Sequence, residues 1–508
     1  MRRADTPRRS TLANWLSESK IEIEMQDLKS RAVRAGLINV GSRVFSFGVR
    51  VVSLMILGRL LTPEDYGLVT MVTAFTGVLN MFGCFGLFQA AIQRDVLSEA
   101  ESSSLFWLNM AFGLLLTIIA IAASPLVATF YNEPRLFAIM DVIALTFIIT
   151  SAGIQHGVLL QRRLSFGTSA KIEISSLLIA TAVSIAMAVY GYGYWAIVSM
   201  TITQPLATTI GLWLSTGWIP GRPRFAPGLR SMLQFGCGTT LTGFLSYITG
   251  NIDKLLLGRV WGTEATGLYS RSFYLANFPC ENLNSTIGEV AFAALSRTRD
   301  DPDRFRRFFL KGYSLVVTLT LPLAMICGLF ADDLIAVALG PQWGGAVGIF
   351  RILAPTILVV AISSPLGWLL NALGLVRRGV YIGLFSAPLM ITGVLIGLPY
   401  GPRGVAVAYS TVMVLKVIPV VLWALHGTGL RARDIAGALA SPLAASVIAA
   451  GIAFGIHALY PSSLSPVLRL LLDVGIFGGA YVIALLLIAG EKALYLDLFR
   501  AARAASSA

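Results

Sequence analysis

The sequence predicts an all-α integral membrane protein of about fourteen transmembrane helices: two six-helix lobes related by an internal repeat, plus two C-terminal helices. Three observations carry that prediction. Of 508 residues, 56% are hydrophobic and 13% charged, with a mean hydropathy of +0.75; soluble domains run at about 25% charged, so lipid is the solvent for most of this surface. Apolar runs of about 20 residues recur along the whole chain, separated by short Gly, Pro or charged turns. LGRLLTPEDYGL at Leu57–Leu68 returns as LGRVWGTEATGL at Leu257–Leu268, with Leu, Gly, Arg, Glu, Gly and Leu matching at an offset of 200 residues. Two halves repeated in this way are a recurrent transporter plan, with substrate bound between them.

In chain order the apolar runs predict helices at 34–58, 66–92, 104–124, 136–160, 168–190, 194–216, 229–256, 266–294, 308–330, 346–371, 377–398, 404–425, 438–459 and 467–490. The two polar ones, 229–256 and 266–294, are those a hydropathy window alone partly misses. The chain therefore divides into a tail (1–33), an N-terminal lobe (34–216), a Pro- and Gly-rich linker (217–228), a C-terminal lobe (229–425), two extra helices (426–490) and a second tail (491–508). Ser124–Pro134 and Asp332–Gly344 read as short interfacial segments with aromatic anchors. No apolar run precedes residue 36, so no signal peptide is expected.

Basic residues set the expected orientation. With the N-terminus in the cytoplasm, 28 of the 39 Lys and Arg fall in cytoplasmic loops, tails and helix ends, and five on the opposite side. That split is a strong positive-inside signal and places both termini in the cytoplasm. It also accounts for most of the net charge of +13 without any nucleic acid.

The chemistry is expected inside the membrane. In the first helix Asn39, Arg43, Ser46, Arg50 and Ser53 are spaced 4, 3, 4, 3, which puts them within an arc of roughly 80° on one face. One Arg at mid-membrane costs about 2.5–3.5 kcal/mol on insertion scales, so this face must look into protein or a wet cavity. Two arginines about 10 Å apart along a helix suit a polyanion such as a diphosphate, whose oxygens Arg grips by bidentate hydrogen bonds.

The seventh helix carries Thr239, Thr242, Ser246, Thr249 and Asp253 on one face, with Lys254 adjacent. The eighth carries Ser270, Tyr274, Asn277, Glu281 and Asn284, besides Arg271 and Glu289. The substrate-cavity candidates are accordingly Arg43, Arg50, Asn39, Ser46, Asn277 and Tyr274. Asp253 and Glu281 are candidates for gating or ion coupling, and Arg271, Lys254 and Arg351 are further intramembrane cations. The plainer alternatives are structural ion pairs of Arg43 or Arg50 with Asp253 or Glu281, and snorkelling of Lys254, Arg271 and Glu289 to the interface. Arg351 and Lys416 have the alternative of facing the two mouths.

Enzyme signatures are poor. Asp301-Pro302-Asp303 has the DxD pattern of metal–nucleotide-sugar sites but sits in the charge run RTRDDPDRFRR, where a solvated loop is the simpler reading. There is no GxxxxGK[ST], GxSxG or HExxH motif. Cys84, Cys237, Cys280 and Cys327 lie in apolar segments without metal-ligand spacing, and His156, His426 and His457 are far apart, so packing is the expectation for all seven.

GRLLTPEDYGLVTMVTAF, GLFQAAIQR, FYNEPRL and GVLLQRRLSF resemble the polysaccharide-flippase family of bacterial cell envelopes. In the second half TGLYSRSFYLANFP, VAFAALSR and ALGPQWGGAVGIFRILAP resemble the same family's matching turns. The likeness covers roughly residues 32–430 and is nearest the colanic-acid-exporter-like branch. Lipid II flippases and multidrug antiporters belong to the same superfamily. The resemblance implies two six-helix lobes around a cavity, and export of undecaprenyl-diphosphate-linked oligosaccharide (exopolysaccharide, capsule or O-antigen repeat unit) across the inner membrane by alternating access. Arg43 and Arg50 are the residues that would receive the headgroup. Asp253 and Glu281 would hold the empty state against them and couple an H+ or Na+ gradient. No other cofactor is expected; the partners are the lipid-linked substrate, membrane lipids, and polysaccharide polymerase and export machinery. A small-molecule antiporter is the rival of the same architecture, weakened by the arginine stripe because drug cations favour an acidic cavity. A membrane polymerase or glycosyltransferase is disfavoured, since it needs an outward catalytic loop or a cytoplasmic nucleotide-sugar domain and the sequence shows neither.

Overall fold

The computed structural model describes residues 41–83, 98–163, 165–222, 229–298, 301–461 and 464–488. All are helix or connecting turn. Helix α1 covers 41–60, followed by α2 (Pro63–Gly83), α3 (Glu99–Tyr131), α4 (Arg135–Arg162), α5 (Phe166–Val189) and α6 (Trp195–Thr216). A helical stretch, Leu229–Arg297, is broken once, at Gly262, whose φ of 78° is open to glycine and strained for other residues. Its arms are α7 (229–261) and α8 (263–297). Then come α9 (Pro302–Leu329), the short α10 (Ala331–Ala338), α11 (Gly344–Ala372), α12 (Val376–Gly397), α13 (Gly401–Leu425), α14 (Ala432–His457) and α15 (Pro466–Ile488).

Every long helix coincides with a predicted span, and the ends follow local chemistry. Ser98 starts α3 through a capping box, its hydroxyl accepting from the Glu101 N–H while the Glu101 carboxylate accepts from the Ser98 N–H. Asp301 caps α9, its carboxylate accepting from the Arg304 N–H at 3.0 Å. That is the structural work of the DxD pattern's first carboxylate. The polar arms α7 and α8 fall outside the segments apolar enough to count as spans by hydropathy. Thr266, Tyr269, Ser270 and Ser272 of α8 are buried, so its polar groups meet protein and not lipid.

Two interfacial expectations are corrected. Residues 124–131 are no separate segment: α3 continues through Pro125 to Tyr131, turning only at Asn132 in the left-handed region. Residues 332–344 do form the short α10 and a 3-10 turn, Pro341–Trp343, but Trp343 is no lipid anchor. It is fully buried and donates Nε1–H to the Gly58 carbonyl at 2.8 Å, where Gln342 also donates.

Gly58 belongs to the other lobe, and the repeated motif turns out to be the device that joins the lobes. A β-carbon on Gly67 would fall on the carbonyl of Thr263; one on Gly267 would fall on the carbonyl of Pro63. Each contact maps onto the other by the 200-residue offset, as at an isologous two-fold interface. The Thr70 and Ser270 hydroxyls, also 200 apart, meet at 3.1 Å. Both motif arginines reach the opposite lobe too: Arg59 donates to the Val337 carbonyl, and Arg259 stacks on Phe130. These contacts draw the lobes together at the end that carries Gly262, called here the Gly262 end. Tyr66 against Trp343 completes the seam.

Helices α14 and α15 pack on the C-terminal lobe through small residues, Ala445, Ala449 and Ala453 against Phe477 and Phe330. Tyr481 donates to the Thr318 carbonyl of α9.

Candidate functional site

Below the seam the lobes part around a cavity of about 480 Å3. It is built from α2 (Thr70, Thr73, Ala74), α6 (Met200), α7 (Tyr247, Asn251, Lys254) and α8 (Ser270 to Glu281). The floor is held across the lobes, with the Tyr247 hydroxyl placed against the Thr73 and Ala74 carbonyls at 3.1 and 3.2 Å.

Its charge is cationic at the centre. Arg271 lies with its guanidinium 3.7 Å from the centre of the Tyr66 ring and 5.4 Å from that of Tyr274. Two electron-rich faces, one from each lobe, therefore stabilise the cation without neutralising it. Lys254 donates to the Asn251 side-chain oxygen at 2.9 Å and lies over Phe273 at 4.7 Å. Among the described residues no carboxylate comes within ion-pairing distance of either cation. Glu281 lines the same cavity toward its exposed side, and no described residue hydrogen-bonds its carboxylate. Hydroxyls and amides (Thr70, Thr73, Tyr274, Asn251, Asn277) fill the remaining wall. The arrangement places the charge-assisted donors of Arg271 and Lys254 and the Glu281 carboxylate around one polar cavity.

The structure distributes the sequence candidates unevenly. Tyr274, Asn277 and Glu281 line the cavity, together with Arg271 and Lys254. On α1, Ser46 and Ser53 are buried while Val44, Phe45 and Val52 are exposed, so the polar stripe faces inward. Arg43 and Arg50 are half-buried on that helix and do not line the cavity. Phe47, between them on α1, stacks at 4.9 Å on Phe278, which lines the cavity. Asn39 lies outside the described residues, as do Cys84, both tails and the end of the linker.

Three expectations change. Asp253 does not face the cavity; it is 1% exposed, and its carboxylate accepts from the Tyr269 hydroxyl at 2.7 Å in the core of the C-terminal lobe. Among the described residues no ion pair joins Arg43 or Arg50 to Asp253 or Glu281. Arg351 is remote from the cavity, paired with Asp332 at the Gly262 end and donating to the Gly328 carbonyl of α9 at 3.3 Å. Among the described residues, then, the two cations that line the cavity come from the C-terminal lobe, whereas the stripe places them on α1.

Elsewhere, His156 is buried against Trp213 and Thr216, and Cys280 and Cys327 are buried and unbonded to one another, all as packing residues. A polar cluster that sequence reasoning missed joins α10, α14 and α15. Arg469 pairs with Asp333 at 2.7 Å and His457 with Asp473 at 2.9 Å. The ligand-type atoms of Asp333, His457 and Asp473 lie within 4.8 Å of one another, but the Arg469 guanidinium already supplies the cation there. Burial pushes the Asp333 carboxyl up, against the pull of Arg469 and His457. These residues are scattered between Asp333 and Asp473 with no spacing to betray them.

Two pseudo-symmetric helical lobes around a charged cavity define a multi-pass membrane transporter fold. The chain belongs to the polysaccharide biosynthesis protein family, whose sequence profile matches residues 56–348. It is similar to the lipopolysaccharide biosynthesis protein WzxC of Escherichia coli (strain K12), 24% identical over 399 residues that cover 77% of this chain and 80% of that one. It is 27% identical to the teichuronic acid biosynthesis protein TuaB of Bacillus subtilis (strain 168), over 64% of this chain and 68% of that one. In fold it is similar to the lipid II flippase MurJ in an inward closed conformation, with a TM-score of 0.71, 14% identity, and coverage of 91% and 100%. An inward-facing multidrug resistance MATE family transporter is similar at a TM-score of 0.60 and 13% identity, over 79% and 98%.

Proposed function

We propose that this protein moves a diphosphate-linked oligosaccharide lipid from the cytoplasmic to the periplasmic leaflet of a bacterial inner membrane, with both termini in the cytoplasm. The carrying observation is the pair of cations, Arg271 and Lys254, that line the cavity between the lobes with no described carboxylate within ion-pairing distance of either. An uncompensated guanidinium inside a membrane protein is costly unless an anion completes it. A diphosphate does so bidentately, while the lipid tail stays in the bilayer. Names of relatives from lipopolysaccharide, teichuronic acid and succinoglycan biosynthesis support a glycan cargo.

In this reading the seam at the Gly262 end is the periplasmic gate, closed while the headgroup enters from the other side. Glu281, facing the same cavity, is the group on which H+ or Na+ resets the cycle, and a polysaccharide polymerase takes the delivered lipid. No covalent chemistry is required of the protein. A drug-cation antiporter would place carboxylates where Arg271 and Lys254 stand.

The test is a deletion strain complemented with Arg271→Gln. The expected result is accumulation of lipid-linked oligosaccharide on the cytoplasmic leaflet, identified by mass spectrometry, as in the uncomplemented strain. Full complementation by Arg271→Gln combined with Lys254→Gln contradicts the proposal.

A further inference from the structure

A second cavity, an open cleft of about 640 Å3, lies between α4 and α6 of the N-terminal lobe, within the size range of small-molecule sites. It shares Met200 with the charged cavity. Its polar lining is wholly uncharged: Thr150, Thr201, Gln204, Thr208 and Thr209.

Helix geometry turns this cavity away from the lipid-facing stripes of both walls. On α6 the exposed apolar residues are Leu206, Ile210 and Leu214, and Thr201, Gln204 and Thr208 project about 150° away from them. On α4 the exposed Phe137 and Leu145 stand a similar angle from Thr150, Gly153 and Gly157. The two helices are fixed in this arrangement by the Thr209 hydroxyl donating to the Ile149 carbonyl and Trp213 Nε1–H to the Ala152 carbonyl.

The hydrogen-bonding inventory selects the occupant. The Thr150, Thr201 and Thr208 hydroxyls each donate to a carbonyl one turn back, leaving oxygen lone pairs as acceptors. Gln204 makes no side-chain hydrogen bond among the described residues, so its amide offers both a donor and an acceptor. Ile154, Ile197 and Leu212 supply apolar wall between them. A mostly apolar wall with neutral acceptors and one free amide matches the C–H faces and hydroxyls of sugar rings, and it offers a phosphate no cation and only the Gln204 amide as a free donor.

We propose that this α4–α6 cavity is the glycan subsite, holding uncharged sugar residues while Arg271 and Lys254 hold the diphosphate. The inference rests on the proposed function. It assigns glycan selectivity to the N-terminal lobe and headgroup binding to the C-terminal lobe.

The test uses the full chain in lipid nanodiscs and two probes: undecaprenyl diphosphate, and the lipid-linked oligosaccharide extracted from the deletion strain. Wild type is expected to bind the sugar-bearing probe more tightly. Thr201→Val with Gln204→Leu is expected to weaken that probe about tenfold, the loss of one or two neutral hydrogen bonds, with undecaprenyl diphosphate unchanged. Ile154→Trp, which fills the cavity without removing a polar group, is expected to give the same selective loss. Unchanged binding of undecaprenyl diphosphate also reports that each variant is folded. Retention of the wild-type preference by both variants overturns the glycan subsite, as it would if bilayer lipid filled the cavity. Unchanged undecaprenyl diphosphate binding in Arg271→Gln instead overturns the headgroup reading, so the two failures are separable.

Discussion

Gly67→Ala is predicted to open the seam. The perturbation is one methyl group placed on the carbonyl of Thr263, across the pseudo-two-fold axis. Neither backbone can yield locally, because Gly67 and Thr263 sit in the first turns of α2 and α8, and Gly267 meets Pro63 a turn away. Overpacking of this kind costs about 1–3 kcal/mol. The contact joins the lobes, so the cost falls on the state in which their Gly262 ends are together. A change of that size shifts a two-state ratio by about 5- to 150-fold. Spin labels at Tyr190→Cys and Tyr400→Cys, which are 81% and 77% exposed on opposite lobes at this end, report the separation once the native cysteines are replaced. Gly67→Ala and Gly267→Ala should both populate longer distances. Gly451→Ala, where an added β-carbon meets open space, should not. Identical distance distributions in wild type and both seam variants would refute the symmetry argument.

Two further outcomes follow from the same geometry. Trp343→Phe keeps the buried ring but loses the donor to Gly58, and should lower stability by about 1 kcal/mol, read as a lower Tm, with some of the same opening. Glu133, in the turn between α3 and α4, accepts from the Arg135 guanidinium at 2.8 Å, and this holds its carboxyl below the usual carboxylate range. A depressed acid stabilises the fold above its ordinary pKa and loses that contribution as the pH falls through the depressed value. Thermal scans between pH 7 and about pH 3 should show this loss in wild type and less of it in Glu133→Gln.

Much of this architecture is legible in the sequence because lipid imposes simple rules. Apolar runs of the right length give most of the long helices, the polar arms α7 and α8 excepted, and LGR with its trailing glycine marks the repeat. The inward turn of α1's polar stripe follows from the cost of exposing Arg43 and Arg50 to lipid. What a single helix cannot disclose is which inward residue meets a cavity and which meets another helix. Asp253 and Lys254 are neighbours, yet about 100° apart around α7. That rotation sends the carboxylate to Tyr269 and the ammonium to the cavity, whereas the sequence offers Asp253 as the gating candidate and Lys254 only as a further intramembrane cation. Arg271 is a candidate in the sequence, but its central place is not legible there, because its setting is made by Tyr66, 205 positions earlier in the other lobe. Trp343 reads as a membrane anchor because its partner, the Gly58 carbonyl, leaves no trace in side-chain composition.

The central claim is that the cavity cations grip an anionic headgroup, and one measurement addresses it directly. Proteoliposomes carrying the full chain and a labelled undecaprenyl-diphosphate oligosaccharide report the rate at which the lipid changes leaflet. Replacing Arg271 by Gln removes a charge-assisted contact of about 1.5–3 kcal/mol, so the rate at subsaturating substrate should fall at least about tenfold, and further with Lys254→Gln. A double variant that moves the lipid at the wild-type rate contradicts the account.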